Sequence, residues 1–163
     1  QIVHITIATE SGEAVVEPLL GNLRDAINRA RDPLQKVILG NFQRRYFHLK
    51  ANLLIDEAYL WADVESAVQI ALKNAFAFEK RNFAQPVTAA EIMDLIHNQK
   101  GLIAVDLDEL HIVDEDGNPV GDLLSSVLSA ETARWNTTET EILPAELLIV
   151  NPAGITLTKM KKA

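Results

Sequence analysis

The stretch PVTAAEIMDLIHNQKGLIAVDLDELH, residues 86–111, gives the clearest structural prediction in the chain: a helix, a helix end and a strand in succession. Thr88 and Glu91 match a T-x-x-E capping box, in which each side chain satisfies one free backbone N–H at the helix start. Apolar residues then recur at helical spacing, and Gly101 offers a left-handed end to the helix. One face of the following strand is predicted to hold Ile103, Val105 and Leu107.

The composition predicts a single folded domain. The chain has 163 residues, of which 48% are hydrophobic, enough for a core of its own. It has no cysteine, and therefore neither disulfides nor thiolate metal sites. We find no secretory signal and no apolar run near the ~20 residues that span a bilayer, so no membrane partner is expected. Because the first residue is Gln1 rather than methionine, we expect a piece of a longer protein.

The charge balance argues against a nucleic-acid partner. The chain carries 15 basic and 23 acidic residues, a net charge of −8. Proteins that bind nucleic acids by their backbone phosphates need a positively charged surface. The two short basic clusters, at residues 44–45 and 159–162, are better explained as a strand flank and a solvated tail.

Periodicity in the rest of the chain predicts an α+β fold. Strands are predicted over residues 2–8, 36–39 and 45–56, and helices from near Pro18 to Arg31 and over residues 61–78. The longest strand is predicted to face the core with Phe47, Leu49, Ala51, Leu53 and Ile55. The order resembles the ferredoxin-like pattern β-α-β-β-α-(α)-β, which would place the helices on one face of a mixed sheet. The opposite face is then open and presents polar residues such as His48 and Lys50.

We divide the chain into three parts. Residues 1–113 are predicted to form the ferredoxin-like core. Residues 114–141 are mostly polar, and we expect an inserted arm or loop with one or two helical turns, ordered on assembly. Residues 142–163 complete the same domain, and the turn NPAG at 151–154 predicts a C-terminal hairpin.

The most enzyme-like group of residues lies on the acidic strand. Asp106 and Asp108 share one face about 7 Å apart, a spacing at which two carboxylates can bind a metal or exchange protons. Glu109 and His111 have the opposite parity and are expected on the other face. Because the four do not converge, we predict a solvated strand face.

Two further patterns resemble metal sites without completing one. His4 and His48 are predicted to share the open sheet face, but a third ligand is missing. Asp114 opens a calcium-like loop, yet position 12 of that loop is Ser125 instead of glutamate, so a β-turn is expected. Nucleotide-binding and nucleophile motifs are absent. We therefore predict no catalytic, metal-binding or cofactor-binding residues, no cofactor and no enzyme activity.

The residues most suited to partner contact are aromatic and basic. Trp and Arg are favoured anchors at protein interfaces. Trp61 stands at a helix entrance, where covering the domain's own core is an equally good explanation. Arg134 and Trp135 lie in the inserted arm. With His48 and Lys50 on the open sheet face, these are the candidate partner contacts.

Three segments together resemble the C-terminal region of the baseplate protein J family, wedge components of phage tails and related contractile injection systems. They are residues 86–110, ETARW at 131–135 and ILPAELLIVNPAGITLT at 142–158. The resemblance implies a structural role without catalytic residues. It also implies other wedge proteins, and copies of this chain in a six-fold assembly, as partners. The chain would occupy the bacterial cytoplasm during assembly and afterwards a phage or phage-tail-like particle.

Two alternatives remain open. One is a small metal-dependent enzyme or metal-binding module that uses the acidic strand and the histidines. The other is a ferredoxin-like regulatory module that binds a small ligand on the open sheet face. Such modules usually have a glycine-rich ligand loop, of which Ser11 and Gly12 form a poor version.

Overall fold

A mixed α+β architecture organises the chain. The computed structural model describes residues 2–138 and 141–161. In chain order, its elements are β1 (Ile2–Ile7), α1 (Leu19–Ala30), β2 (Lys36–Asn41), β3 (Gln43–Ile55), α2 (Trp61–Ala75), β4 (Val87–Thr88), α3 (Ala89–His97), β5 (Leu102–Val113), β6 (Pro119–Val120), β7 (Val127–Leu128), β8 (Arg134–Asn136), β9 (Glu141–Leu143) and β10 (Glu146–Lys159). No helix in the described ranges is long and apolar enough to cross a membrane.

The largest sheet has the strand order β10-β3-β5-β6. β10 runs parallel to β3, whereas β5 runs antiparallel to it. The predicted core residues of β3 are at most 6% exposed, so the predicted phase of this strand is confirmed. They pack in one cluster with buried residues of two helices, namely Val64, Val68 and Leu72 of α2, and Ile92 and Ile96 of α3.

The predicted helix start and stop of the opening stretch are both present, although the Glu91 side chain pairs with Arg81 instead of completing the predicted capping box. The Thr88 hydroxyl accepts the backbone N–H of Glu91 at 3.1 Å. Gly101 has φ +84° and lies under the ring of Tyr59, where a Cβ would not fit. The Glu91 carboxylate lies 2.7 Å from the buried Arg81 guanidinium, which ties α3 to the preceding loop.

The ferredoxin-like strand order is not confirmed. β1 pairs in parallel with β2, and this pair forms a two-stranded sheet separate from the largest one. A ferredoxin-like sheet needs a hairpin between its second and third strands. Here β2 and β3 are joined by Phe42 alone, and one residue cannot reverse the chain as a two-residue hairpin turn does.

The predicted C-terminal hairpin is wrong, because residues 146–159 form one strand. Val150 is aligned with Phe47 and Ile155 with Leu49, so the chain bulges between them and then rejoins β3 in the same direction. Asn151 accepts the N–H of Ala153 at 3.0 Å and closes a local turn that does not reverse the strand. Residues 151–154 are called the β10 bulge below.

The segment 114–141 forms short strands in its described part, residues 114–138 and 141. β6 pairs with β5 and β7 with β4, while β8 and β9 form a hairpin. The predicted helical turns are absent from those residues. Leu128 is only 4% exposed and anchors the segment on the core.

Candidate interaction surface

One face of β3 and β5 turns away from α2 and α3, and we call it the outer sheet face. Strand alternation places His48, Lys50 and Asn52 there, between the core residues of β3. On β5, Asp106 stands opposite Asn52, Glu109 opposite Lys50 and His111 opposite His48.

The prediction that Glu109 and His111 lie on the other face from Asp106 is wrong. Ala51 pairs with Leu107 and Lys50 with Glu109, so Asp108 is an extra residue in β5. Such a β-bulge resets the parity of the strand beyond it. The acidic strand and its histidine therefore do share one face.

A second irregularity explains another wrong prediction. Leu54 pairs with Ala104 and Ile55 with Leu102, which leaves Ile103 as an extra residue. Ile103 was expected in the core with Val105 and Leu107, but its side chain is 50% exposed. Leu107, which lies between the two irregularities, is 8% exposed and confirms its part of the prediction.

Lys50 forms ion pairs with two carboxylates of the outer sheet face. The Lys50 ammonium lies 3.4 Å from Glu109 and 3.8 Å from Asp108. The Asn52 amide donates to Asp108 at 2.9 Å. Ion pairs as exposed as these contribute little to stability. Because Asp106, Asp108 and Glu109 share this face with Lys50, it keeps an excess of negative charge.

The two histidines of this face lie side by side. The rings of His48 and His111 are 5.8 Å apart between centroids. His48 Nε2 lies 3.1 Å from the Asn151 amide nitrogen, and His111 Nδ1 lies 3.3 Å from the Leu123 carbonyl. Burial, and secondarily the neighbouring His111, lowers the pKa of His48. No group of three or more His, Asp and Glu within residues 2–138 and 141–161 is arranged to hold a metal.

The predicted pairing of His4 with His48 is wrong. His4 belongs to β1, in the two-stranded sheet of β1 and β2, whereas His48 belongs to β3 in the largest sheet. The His4 ring lies against Gly40 of β2, where a Cβ would come within 2.7 Å of its Nε2. The two imidazoles therefore belong to different surroundings and cannot form one site.

Trp135 is held in place but remains accessible. It pairs with Ile142 across the β8–β9 hairpin and is 50% exposed. Together with His4 and Ile38, Trp135 lines a cavity of about 270 Å³ between this hairpin and the sheet of β1 and β2. The neighbouring Arg134 is exposed and lies 3.4 Å from Glu131.

Trp61 has a different role from Trp135. It is half-buried at the start of α2 and packs against the main hydrophobic cluster. This position favours the first of its two interpretations, in which Trp61 covers the domain's own core.

The calcium-like loop is a turn, as predicted. Asp114 accepts the backbone N–H groups of Asp116 at 3.0 Å and Asn118 at 2.7 Å. The backbone hydrogen bond from Asn118 is the main reason why the pKa of Asp114 is lowered. Its carboxylate is thus committed to the turn.

Sequence reasoning missed the bulge at Asp108 and the contact of His48 with Asn151. The first left a readable signal, because the core leucines of β5 change from an odd position at Leu107 to an even position at Leu110. The second had none, since it joins residues 103 positions apart.

Comparison with known proteins leaves the family undefined: no protein-family model matches the chain, and no curated protein matches it. The resemblance to the baseplate protein J family therefore stays a prediction.

Proposed function

We propose that this chain is a structural subunit that assembles by protein–protein contacts in the baseplate of a phage tail or contractile injection system. Its partners would be other wedge proteins and copies of itself in a six-fold assembly. It would act without catalysis, as the resemblance implies. Its place would be the bacterial cytoplasm during assembly and the particle thereafter.

The position of Trp135 is the observation that carries this proposal. A tryptophan that keeps half of its surface exposed presents a large apolar area to water. The hairpin pairing with Ile142 holds its backbone, so little conformational freedom would be lost on binding. Tryptophan side chains in such positions are frequent hot spots of protein interfaces.

The N-terminal unit supports the same proposal. None of the residues of β1, α1 and β2 is buried in the described chain, although both strands are rich in apolar residues. Ile2 and Leu19 are each at least 50% exposed. A two-stranded sheet gains stability when a further layer packs on it. A neighbouring subunit would supply such a layer.

The outer sheet face suits the rim of an interface. His48 and Lys50 stand among hydrogen-bonding groups, with Lys50 paired to Glu109 and His48 in contact with Asn151. Rims of protein interfaces are polar in this way, and their ion pairs set orientation more than affinity.

One observation favours the alternative, a small metal-binding or ligand-binding module of ferredoxin-like type. The bulge at Asp108 brings the buried His111 next to His48. Calorimetric titration with zinc, calcium and magnesium separates the two functions. Stoichiometric binding that is lost in a His48→Gln variant would favour the alternative, and the absence of heat would favour assembly.

Sedimentation of particles tests the main proposal. The chain is tagged in the bacterium that produces it, and particles are separated on a density gradient and quantified by mass spectrometry. We expect the chain to co-sediment with tail tube and sheath proteins, in a copy number divisible by the baseplate symmetry. A chain found only in the slowly sedimenting fractions, while tails sediment without it, would overturn the proposal.

A matched pair of variants locates the contact. Trp135→Ala should fold normally but lose co-sedimentation, because the anchor is removed from an exposed position. Ile70→Ala removes another exposed apolar side chain, 55% exposed on α2, and should co-sediment as the unmodified chain does. Equal co-sedimentation of both variants would remove Trp135 from the interface.

A further inference from the structure

The β10 bulge rests on the side chain of His48. Gly154 is buried, and a Cβ at this position would overlap the His48 ring. The Asn151 amide lies 3.1 Å from His48 Nε2 on the same bulge. One imidazole thus contacts the bulge at its beginning and at its end.

The hydrogen bonds around Asn151 define the protonation state of His48. Asn151 Oδ1 accepts the N–H of Ala153 at 3.0 Å, so its NH₂ group must be the atom that faces His48. An amide NH₂ only donates, and His48 Nε2 must therefore accept. In this arrangement His48 is neutral and carries its proton on Nδ1.

The neighbouring histidine makes a different hydrogen bond. The Leu123 carbonyl only accepts, so the Nδ1 of His111 donates to it. The Nε2 atom of His111 takes no part in this bond. A proton added to Nε2 of His48 instead makes this atom a donor, so two donors face each other across the 3.1 Å contact with Asn151.

The other charged groups around His48 are few. On the same face of β3, Lys50 is paired with Glu109 of β5, and the Tyr46 hydroxyl is bonded to Arg44. The β10 bulge itself contributes Asn, Pro, Ala and Gly, none of which titrates. Among the described residues, the titratable neighbour that lowers the pKa of His48 is His111, whose ring lies 5.8 Å away between centroids.

We propose that His48 is an acid-sensitive contact whose protonation releases the β10 bulge from the sheet. If the Asn151 amide keeps its orientation, its NH₂ group and the new N–H of His48 oppose each other. If the amide rotates to present its oxygen to the new N–H, the Ala153 N–H loses its acceptor. The turn is broken in both cases. The release is local, because Ile155 and the residues after it keep their pairing with β3. This inference does not depend on the baseplate assignment.

The direction of the pH effect follows from the environment of His48. Burial and His111 lower the pKa of His48 in the folded chain below the ordinary value of about 6.5. The contact between His48 and Asn151 therefore stabilises the β10 bulge fully above about pH 6.5. This stabilisation is lost as the pH falls through the lowered pKa of His48. One proton changes the open population by at most about tenfold per pH unit.

Amide hydrogen exchange measured by NMR tests the proposal on the intact chain. After correction for intrinsic exchange, the protection of the Ala153 amide should fall by up to about tenfold per pH unit between about pH 6.5 and the lowered pKa of His48, and should level off below it. Amides of Leu49 and Leu53 in β3 should keep their protection. Unchanged Ala153 protection while the His48 ring is seen to titrate would overturn the proposal.

Two variants give a matched control. His48→Gln keeps an acceptor near the position of Nε2 but does not titrate, so its Ala153 protection should be independent of pH. His97→Gln removes an exposed histidine of α3 and should preserve the response. A response that persists in His48→Gln, or that disappears in His97→Gln, would assign it to another group.

Discussion

Leu49 of β3 stands directly opposite Leu110 of β5, and the two side chains are 1% and 0% exposed. They meet because Asp108 is an extra residue in β5, which turns the even positions beyond it toward the core. This pair of buried leucines thus belongs to the part of the sheet whose register that extra residue shifts.

Leu49→Ala should lower the free energy of unfolding by about 2–5 kcal/mol, through lost burial and the cavity left beside Leu110. Urea denaturation measures the change. Leu34→Ala is the matched control, since Leu34 is 93% exposed and its truncation should change stability by less than about 0.5 kcal/mol. Equal midpoints for the two variants would contradict the phase assigned to β3.

Much of the fold was predictable where local rules decide. The core phase of β3, the start of α3 at Thr88 and the turn at Asp114 follow from alternation, capping and side-chain acceptors. Features that depend on pairing between distant strands were not. The separate β1–β2 sheet and the continuous β10 are set by partners far away in the sequence.

Gly154→Ala should destabilise the chain by about 1–3 kcal/mol, because its methyl group would overlap the His48 ring. The cost should shrink in a His48→Ala background, where the space is open. A double-mutant cycle measures this coupling from four unfolding curves. Additive effects would show that the bulge does not rest on His48.

Thr88→Ala should cost about 1 kcal/mol, because the backbone N–H of Glu91 loses its acceptor. The midpoint of thermal unfolding reports the change. Thr132→Ala, at an exposed position, should leave that midpoint in place. If the Thr88 and Thr132 variants unfold at the same midpoint, the Thr88 cap does not stabilise α3.

Ala84 has a positive φ of 60°, which costs a residue with a Cβ about 1–2 kcal/mol. Ala84→Gly relieves that strain but increases the entropy of the unfolded chain, so we expect a net gain of about 0.5–1 kcal/mol. Ala90→Gly, on the exposed side of α3, should instead lose about 1 kcal/mol. A loss at both positions would show that Ala84 is not strained.

The candidate partner residues were predictable as residue types but not as one surface. Arg134 and Trp135 were found by composition, and Trp135 is half exposed on its hairpin. Trp61 could not be assigned from sequence, because a helix entrance suits both a core cover and an interface anchor. His48 was placed correctly on the outer sheet face, whereas its contact with Asn151 depends on a bulge that sequence patterns describe as a hairpin turn.

Electron cryomicroscopy of purified particles tests the central claim most directly, that this chain is a baseplate subunit anchored by Trp135. We expect density for the chain in the baseplate, with the exposed half of Trp135 covered by a neighbouring subunit. Complete baseplates that lack the chain, or that contain it with Trp135 facing solvent, would refute the proposed role.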